Sequence, residues 1–151
     1  MTHYIQAEDE IQFQVQRPKI YTVKSIRVAT FLFGPLAAGY LVSQNYRAFD
    51  QRDKAAVTWV IAGVVLMVVI LVVSLTINIE RFPKFIIPLA YAWGTTLLVQ
   101  NLQGQQINEH IATGGKTFTI WRALLAGLIC LVATLLILYT IIIIVEPEAL
   151  V

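Results

Sequence analysis

Two stretches of the sequence decide the fold class: Val57–Ile77, VTWVIAGVVLMVVILVVSLTI, and Ala123–Val145, ALLAGLICLVATLLILYTIIIIV. They contain fourteen and fifteen Leu, Ile, Phe or Val residues and no charged residue. Each such side chain favours insertion by roughly 0.3–0.6 kcal/mol at the centre of a helix, and about 20 residues cross the hydrocarbon core. Both stretches are therefore predicted to be transmembrane helices.

A weaker uncharged stretch precedes each of the two strong ones. Val28–Tyr46 and Phe85–Gln103 hold only seven and eight of the same residues, together with Pro, Gly and side-chain amides. Because a marginal inserter is followed by a strong one twice, we predict an all-α membrane protein with four transmembrane helices arranged as two helical hairpins. The first hairpin spans residues 25–80 and the second spans residues 81–145.

Composition agrees with an integral, multi-pass membrane protein whose first partner is the lipid bilayer. Apolar residues make up 58% and charged residues 13% of the 151, whereas soluble domains carry about 25% charged residues. The net charge of +2 is too small to suggest nucleic acid as a partner. Cys130 is the only cysteine, which excludes a disulfide within the chain. Glu8, Asp9 and Glu10 in the N-terminal segment argue against a signal peptide.

The weak segments also carry the residues expected at helix–helix contacts. Gly34 and Ala38 form a small-xxx-small pair, which lets helix backbones approach closely, and Gly94 is expected to pack in the same way. Pro35 and Pro88 each remove a backbone donor and are expected to kink their helices. Kinked helices rich in small residues suit protein contact, so the first and third helices are predicted to lie at the centre of the bundle.

The two hairpins share short identities. Pro35–Ala37 matches Pro88–Ala90, and Gln44–Asn45 matches Gln100–Asn101. A duplicated hairpin would give a parallel internal repeat, related by an axis along the membrane normal. Chance matching of Leu- and Ala-rich helices is the alternative.

Both termini and the link between the hairpins would then lie on one side of the membrane. That side carries six Lys or Arg residues, and the side with the two connections inside hairpins carries five. The positive-inside rule therefore selects no orientation for this arrangement.

The polar segments outside the predicted helices are short. In the N-terminal tail, residues 1–24, Ile11–Gln16 alternates between apolar and polar residues, which favours a short strand pairing with Ile20–Val23; a disordered tail is the alternative. Ile107 and Ile111 indicate an amphipathic extension of the third helix that could contact a partner, and Gly114-Gly115 is expected to cap it. Residues 146–151 form a short acidic C-terminal tail.

No motif indicates an enzyme, a cofactor or a metal. Gly114–Thr117 resembles the end of a phosphate-binding loop, but His110 stands where that motif needs glycine, and the motif also needs a preceding strand. Glu109 and His110 are adjacent, so they do not share a helical face. No ionisable residue lies near the middle of a predicted span, which counts against a pump or coupled transporter.

Two longer stretches resemble a known group of proteins. Tyr21–Phe49, YTVKSIRVATFLFGPLAAGYLVSQNYRAF, and Leu102–Gly127, with LQG, EHI, GGK and WR, are similar to small bacterial four-helix membrane proteins with no assigned activity. The resemblance covers roughly residues 21–127 and implies a multi-pass protein of the bacterial inner membrane. This chain departs from the pattern at Phe33, where glycine is expected, and in its longer tail before Tyr21.

Two functions follow as hypotheses. The preferred one is a scaffold, accessory or interaction subunit that binds another membrane protein or a second copy. The alternative is a small-molecule channel or facilitator formed by oligomerisation, with a polar path on the first and third helices. The residues of that path are Ser43, Gln44, Asn45, Thr95, Thr96, Gln100 and Asn101.

Overall fold

The computed structural model describes residues 18–76, 83 and 85–145, with Val145 by its backbone alone. This part of the chain is all-helical, as predicted, and contains an isolated parallel bridge between Ile20 and Thr117 but no β-strand. The five helices are α1 (Val23–Phe33), α2 (Pro35–Ala48), α3 (Arg52–Thr76), α4 (Ile86–Ala112) and α5 (Ile120–Val145). Ile11–Gln16 and the acidic tail lie outside the described residues.

The first uncharged stretch forms two helices instead of one. α1 ends where the Gly34 N–H donates to the Thr30 carbonyl at 2.9 Å. Gly34 then takes φ 89° and ψ −174°, a region open almost only to glycine. Pro35 follows as the first residue of α2, where a missing N–H costs no helical hydrogen bond. The expected kink at Pro35 is thus a complete break.

The two short helices run antiparallel. The Tyr21 N–H donates to Asn45 Oδ1 at 2.7 Å, and Asn45 Nδ2 donates to the Tyr21 carbonyl at 2.8 Å. Since Tyr21 precedes α1 and Asn45 lies near the end of α2, the segment returns to the end from which it starts. Its arms are roughly 16 and 21 Å long at 1.5 Å per residue, so neither matches a 30 Å hydrocarbon core. We call this element the α1–α2 hairpin.

Three long helices share that end of the molecule. The Gln51 N–H donates to the Tyr46 carbonyl at 2.8 Å just before α3 begins. The ring of His110, near the end of α4, lies 6.3 Å from that of Phe49. The Phe118 N–H, just before α5, donates to the Ile20 carbonyl at 2.8 Å. We call this end the loop end; α3 and α5 run away from it, and α4 returns to it.

The α1–α2 hairpin lies at the centre and packs against all three long helices. Gly39 lies so close to α3 that an added Cβ would clash with Ala62, and Gly127 lets Phe33 approach α5 in the same way. The prediction placed both weak segments at the centre, whereas α4 lies beside the hairpin. No described residue is buried on α3 beyond Leu66 or on α5 beyond Cys130.

The second weak segment differs from the first. α4 is one helix of 27 residues, and Pro88 is its third residue, where the backbone N–H would have no helical partner. The expected kink within the helix therefore does not arise. The two halves of the chain do not share one architecture, so the short identities are not accompanied by a structural repeat.

The end of α4 matches the sequence prediction. Gly114 has φ 78°, and the Gly115 N–H donates to the His110 carbonyl at 2.7 Å. These contacts satisfy carbonyl groups that the last turn of a helix leaves unpaired. The glycine pair thus turns the chain back toward α5.

Candidate functional site

The loop end is held by a cluster of aromatic and backbone contacts. The rings of Tyr21 and Phe118 lie 4.7 Å apart, and the Arg122 guanidinium lies 4.2 Å above the Phe118 ring. Burial raises the pKa of Tyr21 above its ordinary value, Tyr40 adds to this, and Arg122 partly opposes it. A phenol that stays neutral fits a packing role, so this cluster fixes the hairpin to the loop before α5.

Arg27 occupies an unexpected place. Its Nε donates to Thr96 Oγ1 at 3.2 Å, and Thr96 Oγ1 donates in turn to the Ala92 carbonyl at 2.8 Å. Arg27 directly precedes the uncharged stretch Val28–Tyr46, but Thr96 is the eleventh of the 27 residues of α4. The hairpin therefore carries a positive charge to the level of the inner part of α4.

A cleft of about 350 Å³ lies between α2, α3 and α4. It exists because α3 and α4 both pack on α2 and not closely on each other. Its floor is one face of α2 with small side chains, which leaves space above it. The residues that line the cleft are Pro35, Ala38, Gly39, Val42, Tyr46, Lys54, Val57, Thr58, Ile61, Ala62, Val65, Thr95, Leu98, Val99, Leu102 and Gln103.

Two polar groups mark one half of this cleft. Gln103 is 0% exposed, and its Nε2 donates to the Val42 carbonyl at 3.2 Å. Lys54 lies at the loop end, with its Nζ 5.9 Å from the centre of the Tyr46 ring. The other half, toward Val65, is almost wholly apolar. A cleft built this way can hold an apolar chain with a polar head.

The structure separates the residues predicted for helix packing. Pro35 and Ala38 are buried and line the cleft. Pro88 is half-buried at the start of α4. An added Cβ at Gly34 or at Gly94 would meet no atom within 4 Å, so neither glycine makes a close approach within this chain. Gly39, which was not singled out, does.

The predicted polar path is divided among different environments. Ser43, Asn45 and Thr96 are buried, whereas Gln100 and Asn101 are exposed on α4. Gln44 and Thr95 are half-buried, and Thr95 borders the cleft. The seven residues therefore do not form one strip in a single chain.

The predicted partner contact is also divided. Ile107 is 1% exposed and belongs to the core, which removes it from the surface that a partner could touch. Ile111 is 45% exposed and remains accessible. The reason is that α4 turns its Ile107 face toward the hairpin, a contact that the spacing of the two isoleucines alone does not show.

Three residues of this site were missed from the sequence: Gly39, Arg27 and Gln103. The signal for Gly39 was present, because it follows Pro35 by one turn in a segment rich in small residues. Gln103 lies seven residues after Thr96 on the buried face of α4, but the spacing of a polar amide does not predict that it is buried. The contact of Arg27 with Thr96 arises only because the α1–α2 hairpin packs against α4.

The described residues contain no group of three His, Cys, Asp or Glu side chains placed to hold a metal ion. Two of the described helices, α3 and α5, are long and apolar enough to cross a membrane. The molecule is thus a helical bundle around a central half-length hairpin, with a lateral apolar cleft. No family model matches this chain, and searches of curated proteins and of solved structures find no match.

Proposed function

We propose that the chain is a multi-pass integral membrane protein that acts as an interaction or accessory subunit and not as an enzyme. The far halves of α3 and α5 support the membrane location. Their side chains are mostly Val, Leu and Ile, and most of them are exposed. A contiguous apolar surface of this size needs lipid or protein to cover it.

The direction of the helices supports three crossings in place of the four predicted from sequence. If α3 and α5 both cross the membrane, they start on the same side, because both begin at the loop end. α4 must then cross in the opposite direction, although it is less apolar. The α1–α2 hairpin enters and leaves on the loop-end side as a re-entrant element, shielded by the three spans.

The observation that carries the functional proposal is an exposed stripe on α4. Ala90, Gly94, Leu97 and Asn101 recur at intervals of four, three and four residues, which places them on one face, and all four are exposed. Asn101 lies two residues before Gln103, which ends the uncharged stretch Phe85–Gln103. An exposed amide within the span is more favourable when another helix pairs with it than when it faces lipid.

The stripe suits a second copy of the same chain. Asparagine has both a donor and an acceptor, so two Asn101 side chains can satisfy each other across a two-fold axis. Gly94 leaves a notch beside it that admits a neighbouring backbone. The channel alternative has less support, because the residues of its polar path are mostly separated or engaged within the fold.

Disulfide cross-linking in native membranes tests this proposal. In a Cys130→Ala background, Leu97→Cys places a cysteine on the stripe, and Leu89→Cys places one elsewhere on α4; the two leucines are 51% and 52% exposed. We expect oxidation to link Leu97→Cys chains into dimers and to leave Leu89→Cys chains monomeric. Adding Gly94→Leu should reduce the dimer band at least several-fold.

The proposal fails if the stripe touches no protein. That outcome is equal labelling of both cysteines by a lipid-soluble maleimide without any dimer, together with no product from a photo-cross-linker placed at Leu97. Flux above that of empty liposomes with the purified protein would favour the channel alternative instead.

A further inference from the structure

We propose that the cleft between α2, α3 and α4 binds one single-chain anionic lipid, such as a lysophospholipid. The shape of the cleft and the cation in its loop-end half support this assignment. It concerns a different face from the α4 stripe, so it stands independently of the proposed function.

The dimensions of the cleft select one hydrocarbon chain. Along α3 its lining runs from Lys54 to Val65, roughly 16 Å at 1.5 Å per residue. A volume of about 350 Å³ over that length gives a mean cross-section of about 20 Å². That area is far below the roughly 80 Å² of an α-helix at least 10 Å across, so the cleft suits a hydrocarbon chain and not a helix.

The position of the cleft gives such a chain a way in. Ile61 on α3 and Leu98 and Leu102 on α4 form its rims, and all three are about half exposed or more. In the proposed orientation this side of the bundle faces the bilayer. A lipid can therefore enter sideways without leaving the membrane.

The charge at the loop end selects an anionic head. Lys54 stands there as the cation of the lining, and no acidic residue lines the cleft. An ammonium group binds phosphate as a point charge. A lipid oriented with its head at Lys54 directs its tail toward Val65, along the apolar half of the cleft.

Native mass spectrometry of the purified protein in neutral detergent tests the lipid itself. The probe is 1-palmitoyl lysophosphatidic acid, titrated to saturation. We expect one bound molecule, and about tenfold weaker binding for monopalmitoylglycerol, which lacks the phosphate, and for dipalmitoyl phosphatidic acid, which has a second acyl chain. Equal affinity for the three lipids, or binding that does not saturate at one, would overturn the proposal.

Paired variants test the site. Ile61→Trp fills the cleft from its rim and should abolish binding, while Val60→Trp, on an exposed neighbour outside the lining, should leave it unchanged. Lys54→Gln should weaken phosphate binding several-fold, and Lys116→Gln should not. Unaltered binding in Ile61→Trp refutes the site. An Ile61→Cys dimer in the Cys130→Ala background would assign the cleft to a second copy and also refute it.

Discussion

The carboxamide of Asn45 makes both of its hydrogen bonds to the backbone of one residue, Tyr21, at 2.7 and 2.8 Å. Tyr21 lies outside any helix or strand, and Asn45 pairs its backbone N–H and carbonyl as a neighbouring strand would. Both groups are buried, so each would cost about 1–3 kcal/mol if left unpaired. A single side chain thus holds the beginning of α1 against the end of α2.

Gly39 and Ala62 set the distance between α2 and α3. We expect Gly39→Ala to destabilise the protein by about 1–3 kcal/mol through overpacking, since its Cβ would clash with Ala62. The double variant Gly39→Ala/Ala62→Gly moves the methyl group to the other helix and should recover most of that loss. The measurement is thermal unfolding in detergent, followed by circular dichroism.

Gly63→Ala is the matched control for that pair. A Cβ at Gly63 meets no atom within 4 Å, and alanine is a better helix former by roughly 0.5–1 kcal/mol, so stability should hold or rise slightly. If Gly39→Ala were as stable as Gly63→Ala, that result would contradict the close contact between Gly39 and Ala62.

At the scale of elements, Gly34 determines whether residues 23–48 form a hairpin. Its φ of 89° and ψ of −174° are strained for any L-residue, although space around it is open. We expect Gly34→Ala to cost about 1–3 kcal/mol for backbone reasons alone. Gly104→Ala, inside α4 and in ordinary contact with Gln100, should not. Thermal unfolding in detergent compares the two; equal stability would argue against the break.

The sequence predicted the elements unevenly, for a physical reason. α3 and α5 follow from local composition, because about 20 consecutive apolar residues suffice to define a span. The hairpin depends on a contact between residues 21 and 45. The composition of Val28–Tyr46 does not show whether this segment crosses the membrane or turns back within it. Gly34-Pro35 was the available signal, since this dipeptide marks a break as readily as a kink.

The site was less predictable than the helices. Ala38 and Pro35 were chosen for helix packing, and they do lie on an inward face, but that face forms the floor of the cleft. The cleft itself exists because α3 and α4 straddle α2, which no local pattern encodes. The burial of Gln103 and its hydrogen bond to Val42 also depend on that arrangement.

At the scale of the whole molecule, the proposed three crossings change the expected distribution of charge across the membrane. Lys19 and Lys24 join the loop end, where the chain also has Arg47, Arg52, Lys54, Lys116 and Arg122. The sequence linking the far ends of α3 and α4 contributes Arg81 and Lys84. Leaving aside Arg17 and Arg27, the proposed arrangement has seven Lys or Arg residues at the loop end and two at the opposite end. The positive-inside rule then predicts a cytoplasmic loop end.

Three crossings and this charge distribution together predict opposite locations for the two chain ends. In a bacterial inner membrane, a GFP fused at the N-terminus should fluoresce, because that end is cytoplasmic, and an alkaline phosphatase fused after Val151 should be active, because that end is periplasmic. Lys19→Cys and Asp50→Cys, in a Cys130→Ala background, should both be shielded from an impermeant maleimide in intact cells and labelled after lysis. Four crossings would instead put Lys19 and Asp50 on opposite sides and both termini together, so labelling of only one of these cysteines in intact cells would contradict the re-entrant hairpin.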